Sequence, residues 1–357
     1  MPFLSISFTN FRNIENNTLD LLSKEVYFVG DNGQGKSNIL ESIYMVSYGN
    51  SFRTKNDDEI IKEGELNYSI RSIFRDQNDH TNSVSIIYKD NKKKIEKNAK
   101  QISDRKELVN TIPCVLYSHD DLDFSIGTPD RKRFFIDQSL SMYDTSYIDI
   151  SRKYKKILKT RNTILKEKRS DLLDVLDVQL SEAGIEVTHR RKNTITAFNR
   201  VFSRLYKEVC GIDNVTIDYS PVWKGDTAES ALIALAEKRE LDLTMGISMS
   251  GPHRDRIRFI KNKKTFVPTA STGQRRLLSL LLRTAQAQYY TEVTGKLPVL
   301  LMDDVMLELD PEKRQRFTAL LPEYDQLFCT FLPGEPYERY KKTTTKVYTI
   351  NGGKWSD

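Results

Sequence analysis

Cysteine is scarce in this 357-residue sequence: Cys114, Cys210 and Cys329 stand far apart, with no CxxC pair. Neither a disulfide framework nor a zinc site is expected from them. Long apolar runs are missing as well. A membrane-spanning helix needs about 18 or more apolar residues in a row, and no stretch approaches that. The first residues, Met1-Pro2-Phe3-Leu4-Ser5-Ile6, lack the basic-then-apolar layout of a signal peptide. The expectation is a soluble, cytoplasmic protein with no membrane partner. Proline is absent from Arg131 to Tyr206, where only Gly184 interrupts a strongly charged stretch without period-2 alternation. That excludes a strand-rich middle third. Charge of one sign is not in large excess either: 55 Lys and Arg against 49 Asp and Glu give +6, too mild to establish a nucleic-acid partner by composition alone.

What is present begins with GDNGQGKS, Gly30-Asp31-Asn32-Gly33-Gln34-Gly35-Lys36-Ser37. This is the spacing of the phosphate-cradling P-loop. Its glycines let the backbone turn tightly so that successive N–H groups face an anion; Lys36 can reach the outer phosphates and Ser37 can help hold Mg²⁺. The apolar run Val26–Val29 before it reads as a buried strand. Residues 38–44 after it read as an amphipathic helix whose N-terminus points at the phosphates. A nucleoside triphosphate ligand is the direct implication.

The rest of the chain alternates in character. Residues 3–9, 17–22, 68–74, 83–88, 112–117, 215–219, 327–331 and 346–350 carry strand signals, and Asp76-Gln77-Asn78-Asp79 has hairpin-turn side chains. The lysine-rich 89–100 looks like a second hairpin tip, open to reading as a solvated turn or a phosphate contact. Between Arg131 and Tyr206 apolar residues recur at three and four: Tyr147, Ile150, Tyr154, Ile157 and Leu158; Leu172, Val175, Leu176 and Val178; Ile195, Phe198, Val201, Phe202 and Leu205. These are long helices packing on one another, without the sustained heptads of a free coiled coil. Basic residues cluster there, in Arg131-Lys132-Arg133, Arg152 to Arg161, Lys166-Lys168-Arg169 and Arg190-Arg191-Lys192.

Two later elements complete a site. Val299-Leu300-Leu301-Met302 is an apolar strand ending in Asp303-Asp304, which beside a P-loop reads as a Walker B element: Asp303 to hold Mg²⁺, Asp304 to orient or deprotonate the attacking water. Ser271-Thr272-Gly273-Gln274 opens a helix. It suits either an ordinary N-cap or, in this order, the signature of ABC-type ATPases, which binds the γ-phosphate held by a second copy.

Taken together, Asn10-Phe11-Arg12-Asn13, GDNGQGKS with Asn38-Ile39-Leu40-Glu41, Ser51-Phe52-Arg53, the run 130–137 (DRKRFFID), GPHRD at 251–255, the Gly-Gln signature and LMDDVMLELD at 301–310 resemble the RecF family of SMC-like ATPases. The resemblance implies an α/β fold: an ABC-type P-loop ATPase head built from both ends of the chain (1–120 and 245–357), with an inserted, mostly helical arm (121–244). It implies that Gly30 to Ser37, Arg12, Ser271, Gly273 and Gln274 bind ATP, that Ser37 and Asp303 hold Mg²⁺, and that Lys36 and Asp304 carry a weak, DNA-stimulated hydrolysis. It further implies an ATP-dependent homodimer on single- and double-stranded DNA without sequence preference. Such a dimer would act at gaps and junctions with RecO and RecR to help load RecA, in recombinational repair, replication restart and the SOS response. The rivals are an overcoming-lysogeny-type nuclease, a P-loop kinase and a nucleotide-binding scaffold with negligible turnover. The nuclease needs a second acidic metal cluster where the tail holds only scattered acids such as Glu312, Glu323 and Glu335, and the kinase needs neither the Ser-Gly-Gln element nor the arm.

Overall fold

Glu25–Val29 is buried at every position, as expected of a strand covered on both faces, where the apolar run is continuous. In the computed structural model this strand sits inside a six-stranded sheet, ordered Lys354–Ser356, Thr345–Asn351, Glu25–Val29, Gln326–Phe331, Val299–Met302 and Cys114–Tyr117. All neighbours but the terminal hairpin pair are parallel. Phe28 lies between Phe328 and Tyr348, with ring centroids 6.4 and 6.3 Å away. The structure describes residues 2–76, 78–309 and 311–357. Gln77 of the expected hairpin turn and Asp310 of the run 301–310 lie outside the described residues.

The described residues form two compact units, Met1–Asp120 with Gln286–Asp357, and Asp121–Ala285. The first unit adds an antiparallel sheet, ordered Thr18–Asp20, Phe3–Thr9, Tyr68–Arg75, Thr81–Lys89, Lys92–Lys97 and Lys100–Gln101. Its period-2 burial follows the alternation in the sequence: Tyr68, Ile70, Ser72 and Phe74 point in, Arg71 and Arg75 out. The lysine-rich 89–100 is not a tip. Lys92–Lys97 is a strand flanked by two tight turns, at Asp90-Asn91 and at Asn98-Ala99, all four with left-handed backbone. The single apolar residue, Ile95, is its inward anchor. One continuous core joins both sheets to the helix Lys36–Tyr48.

The second unit consists mainly of the helices Pro129–Tyr143, Thr145–Lys166, Leu173–Cys210 and Ala228–Met245, with the sheet Lys264–Thr265, Arg256–Lys261 and Val215–Ser220. Asp144 caps the second of these helices, accepting from the N–H groups of Ser146 and Tyr147 at 3.0 and 3.3 Å. Gly184 in mid-helix has a packing reason: a Cβ there would lie 2.4 Å from the Trp223 ring. The apolar stripe around 172–178 is corrected by one register. Leu172, Val175 and Val178 are exposed, Leu176 packs partly buried against Ile164, Leu165 and Leu173 as expected, and Leu173, Asp177 and Leu180 are buried. Periodicity missed this because one inward position carries a charge: Asp177 accepts from Arg161 Nε at 2.6 Å, and both side chains are fully buried.

Residues 245–285, assigned to the head on sequence, belong to this second unit. The cause is a buried ionic network that ties two of the family-like runs together. Arg191 grips Asp137 with Nε and Nη2 at 2.8 and 3.0 Å and donates to Pro252 O at 2.8 Å. Arg133 donates to Asp255 O at 2.6 Å, and Asp255 also takes the Val222 N–H and the Tyr219 hydroxyl. Burial raises the Asp255 pKa despite these donors; at Asp137 burial also pushes upward, but Arg191, Tyr147 and Lys155 together lower the pKa.

Candidate nucleotide site

Parallel strands bring their carboxyl ends to one edge, the place where open α/β sheets bind ligands. Here Val29 leads into the P-loop and Met302 into Asp303. Gly30 closes against the last strands: its N–H reaches Phe331 O at 3.1 Å, and a Cβ would sit 2.4 Å from Ile350 O. Asp31, Asn32 and Gly33 are exposed at the tip. Gly35 adopts φ +113, where a side chain would also meet Asn13 at 2.9 Å.

Lys36 is 4% exposed and rests its ammonium on two loop carbonyls, Gly30 O at 2.7 Å and Asp31 O at 3.0 Å. Those contacts hold the cation inside the loop that would wrap a phosphate chain. Ser37 Oγ donates to Asp303 Oδ1 at 2.7 Å across 266 residues. Burial pushes the Asp303 carboxyl above the usual range and the neighbouring Asp304 adds to this, while the hydrogen bond from Ser37 offsets part of it. Among the described residues no group of three or more His, Cys, Asp and Glu side chains could hold a metal. The Ser37 hydroxyl and the Asp303 carboxylate, 2.7 Å apart, fit Mg²⁺ as it binds at phosphate sites, through one or two protein oxygens with phosphate and water supplying the rest.

Arg12 has left-handed backbone, φ 49. Each of its three guanidinium nitrogens donates once: Nε and Nη2 to Glu41 at 3.0 and 2.8 Å, and Nη1 to Glu59 O at 2.6 Å. Its neighbour Asn13 touches the loop directly, donating to Gly33 O at 3.3 Å and accepting from Asn38 at 2.8 Å. Arg53 joins from Ser51-Phe52-Arg53, on Asn38 Oδ1 at 2.6 Å. Glu41 is the hub, fully buried and also bonded by Ser51 at 2.5 Å.

Sequence reasoning missed three contributors: the Gly352-Gly353 hairpin that meets Gln34, Glu335 and Thr330. Gln34 turns its side chain to the C-terminal hairpin, where Gly352 N–H donates to Oε1 at 2.6 Å and Gly353 N–H donates to Gln34 O at 2.9 Å. The Gly-Gly pair was the available signal. Glu335 has a buried Oε1 without a hydrogen-bond partner, and burial, with Asp304 nearby, raises its pKa. Thr330 contacts both Walker-type carboxylates. In the second unit, Ser271 is exposed and caps the helix Thr272–Thr294 reciprocally: Gln274 N–H donates to its Oγ at 3.3 Å and its own N–H donates to Gln274 Oε1 at 2.8 Å. A Cβ on Gly273 would meet nothing within 4 Å.

A phosphate loop after one parallel strand, faced by a carboxylate pair at the end of another, defines a P-loop ATPase head of the SMC-like, ABC type. Residues 3–355 match the family model for the RecF/RecN/SMC N terminal domain. The chain belongs to the RecF family. It is 51% identical over 346 residues to the DNA replication and repair protein RecF of Treponema pallidum (strain Nichols), covering 96% of this chain and 98% of that protein. The Leptospira interrogans (serovar Lai) RecF is 32% identical over 357 residues, covering 98% and 97%. Among solved structures, the recombination mediator protein RecF with ATP, of the RecFOR pathway, superposes with TM-score 0.89 at 27% identity, covering 99% of this chain and 97% of that one. A Smc head shares the fold, with TM-score 0.58 at 15% identity over 99% of this chain and 96% of that one. No helix among the described residues is long and apolar enough to cross a membrane.

Proposed function

We propose that this chain is an ATP-gated DNA-binding protein of recombinational repair, whose two copies close on ATP and Mg²⁺ and reopen on slow hydrolysis. The observation that carries the reading is the Ser37–Asp303 contact at 2.7 Å beside the buried Lys36. It joins a phosphate cradle to a metal-type carboxylate, as ATP with Mg²⁺ requires. When bound, Mg²⁺ would neutralise phosphate charge; Ser37 and Asp303 would hold it, and Asp304 would orient water. RecF with ATP among the structural relatives supports the ligand. Its place in the RecFOR pathway supports RecO- and RecR-type partners and help in loading RecA at gaps.

DNA contact falls to cations that the fold leaves outside. Arg133, Arg161 and Arg191 are buried in ion networks and drop out of the basic clusters. Lys153, Lys155, Lys156, Lys159 and Lys166 on the helix Thr145–Lys166 remain exposed. Lys155, Lys159 and Lys166 line a cleft of about 360 Å³ with Asn162 and Thr163. Such a track reads phosphates rather than bases, so binding should weaken steeply with salt.

The exposed Ser271 completes the ATP site of the second copy in this reading. Sedimentation of the protein with ATP and Mg²⁺, with and without gapped DNA, tests it: a dimer should form with ATP, and Ser271→Arg should abolish it while monomer ATP binding persists. A Ser271→Arg protein that still dimerises with ATP overturns the trans arrangement.

A further inference from the structure

We propose that Thr330 is the positioning residue that holds Asp304 ready for the attacking water, an assignment that rests on the hydrolysis reading above. Thr330 is the penultimate residue of the strand Gln326–Phe331 and is 1% exposed. Its hydroxyl oxygen accepts the Asp304 N–H at 2.7 Å and lies 2.7 Å from Asp304 Oδ1, 3.3 Å from Asp303 Oδ1 and 3.5 Å from Met302 O. A threonine hydroxyl has one proton to give. Two carboxylates and a carbonyl compete for it, and the shortest distance assigns it to Asp304.

The result is a two-point clamp on one residue, gripping Asp304 by its backbone N–H and by its carboxylate. The clamp answers a backbone problem. Asp304 has φ 52, a left-handed conformation uncommon outside glycine and tolerated by aspartate when local hydrogen bonds support it. The two acids thus have separate holders: Ser37 bonds Asp303 and Thr330 bonds Asp304. A water-orienting carboxylate must point one way without drifting to the metal position, and a hydroxyl fixed on a fully buried strand supplies that constraint. In the sequence Thr330 is indistinguishable from any β-branched strand residue.

The test compares Thr330→Val, which keeps the shape and removes the hydroxyl, with Thr330→Ser, which keeps the hydroxyl, in the full chain. Three quantities are read: kcat for DNA-stimulated ATP hydrolysis, the Kd for a fluorescent ATP analogue with Mg²⁺, and amide hydrogen exchange at Asp304. Thr330→Val should lower kcat about tenfold or more, with Kd changed less than about threefold, and should speed exchange at Asp304 by about tenfold, as expected when a hydrogen bond to a charged group is removed. Thr330→Ser should stay within about threefold of wild type in all three, because the hydroxyl is retained. Unchanged exchange in Thr330→Val, or equal impairment of Val and Ser, overturns the clamp. A wild-type protein that binds ATP but never hydrolyses it overturns the hydrolysis reading instead, and with it the assigned purpose of the clamp; the exchange data still decide whether the hydroxyl holds Asp304.

Discussion

Replacing Glu41 by glutamine should weaken the first unit and its nucleotide site together. Glu41 has no exposed side-chain surface and holds Arg12 with two hydrogen bonds, Ser51 with a third, and Arg53 at 3.6 Å. Removing one partner of a buried ion pair costs about 3–5 kcal/mol, because the other charge is left uncompensated. Here Arg12 and Arg53 keep 18% and 43% of their side-chain surface in solvent, so hydration relieves part of that cost. The low end, about 3 kcal/mol, is the expected loss. Against a urea slope of roughly 2 kcal/mol per molar, that moves the unfolding midpoint down by about 1.5 M. The measurement needs a reporter for the first unit alone. The chain has two tryptophans, Trp223 in the second unit and Trp355 in the first, so Trp355 fluorescence in a Trp223→Phe background follows the right transition. ATP affinity should fall about tenfold as Arg12 and Asn13 lose their fixed place beside the loop, a loss equivalent to about one charge-assisted hydrogen bond. A midpoint shift below about 0.3 M, equivalent to well under 1 kcal/mol, would refute the view of Glu41 as the hub of the site.

Gly353→Ala should cost about 2 kcal/mol or more, since its Cβ would lie 1.9 Å from Asn13 O and the glycine has φ +78. Gly352→Ala, with φ +55 and nothing within 4 Å, should cost about 1 kcal/mol; thermal unfolding with and without ATP compares the two, and only the first should also weaken ATP binding. His253 supplies a pH dependence. Its Nε2 donates to Ser248 O at 2.9 Å, which leaves Nδ1 to accept from the Tyr154 hydroxyl at 2.6 Å in the neutral ring. Burial, with Arg254, Arg133 and Arg161 nearby, pushes its pKa down to about 4, from 6.5. The unfolded chain then binds the extra proton, so the contribution is complete above about pH 6.5 and is lost as pH falls towards 4, by up to about 3 kcal/mol. His253→Gln should flatten that part of the stability profile of the second unit, followed by Trp223 fluorescence; an unchanged slope between pH 6.5 and 4 refutes it.

The sequence by itself determined the P-loop, the strand before it, the helix after it and the carboxylates after Met302. Each is a local pattern whose chemistry depends on spacing within about a dozen residues. The proline-free middle third determined helices for the same reason, and the recurrence at Ile195, Phe198, Val201, Phe202 and Leu205 matches residues that are all buried. Only the tertiary structure decided which charges face inward. Arg133, Arg161 and Arg191 look like their solvent-facing neighbours in the basic clusters, and they are buried because Asp255, Asp177, Asp242 and Asp137 come to meet them from distant segments. The same holds for Asp177, which shifts the helical stripe by one residue, and for Thr330, ordinary in sequence and placed against both carboxylates of the candidate nucleotide site. A hydrophobic period is written along the chain because water acts on every residue in the same way. A buried ion pair or a shared hydroxyl proton exists only when a particular partner arrives within hydrogen-bonding reach, and that distance belongs to the folded chain alone.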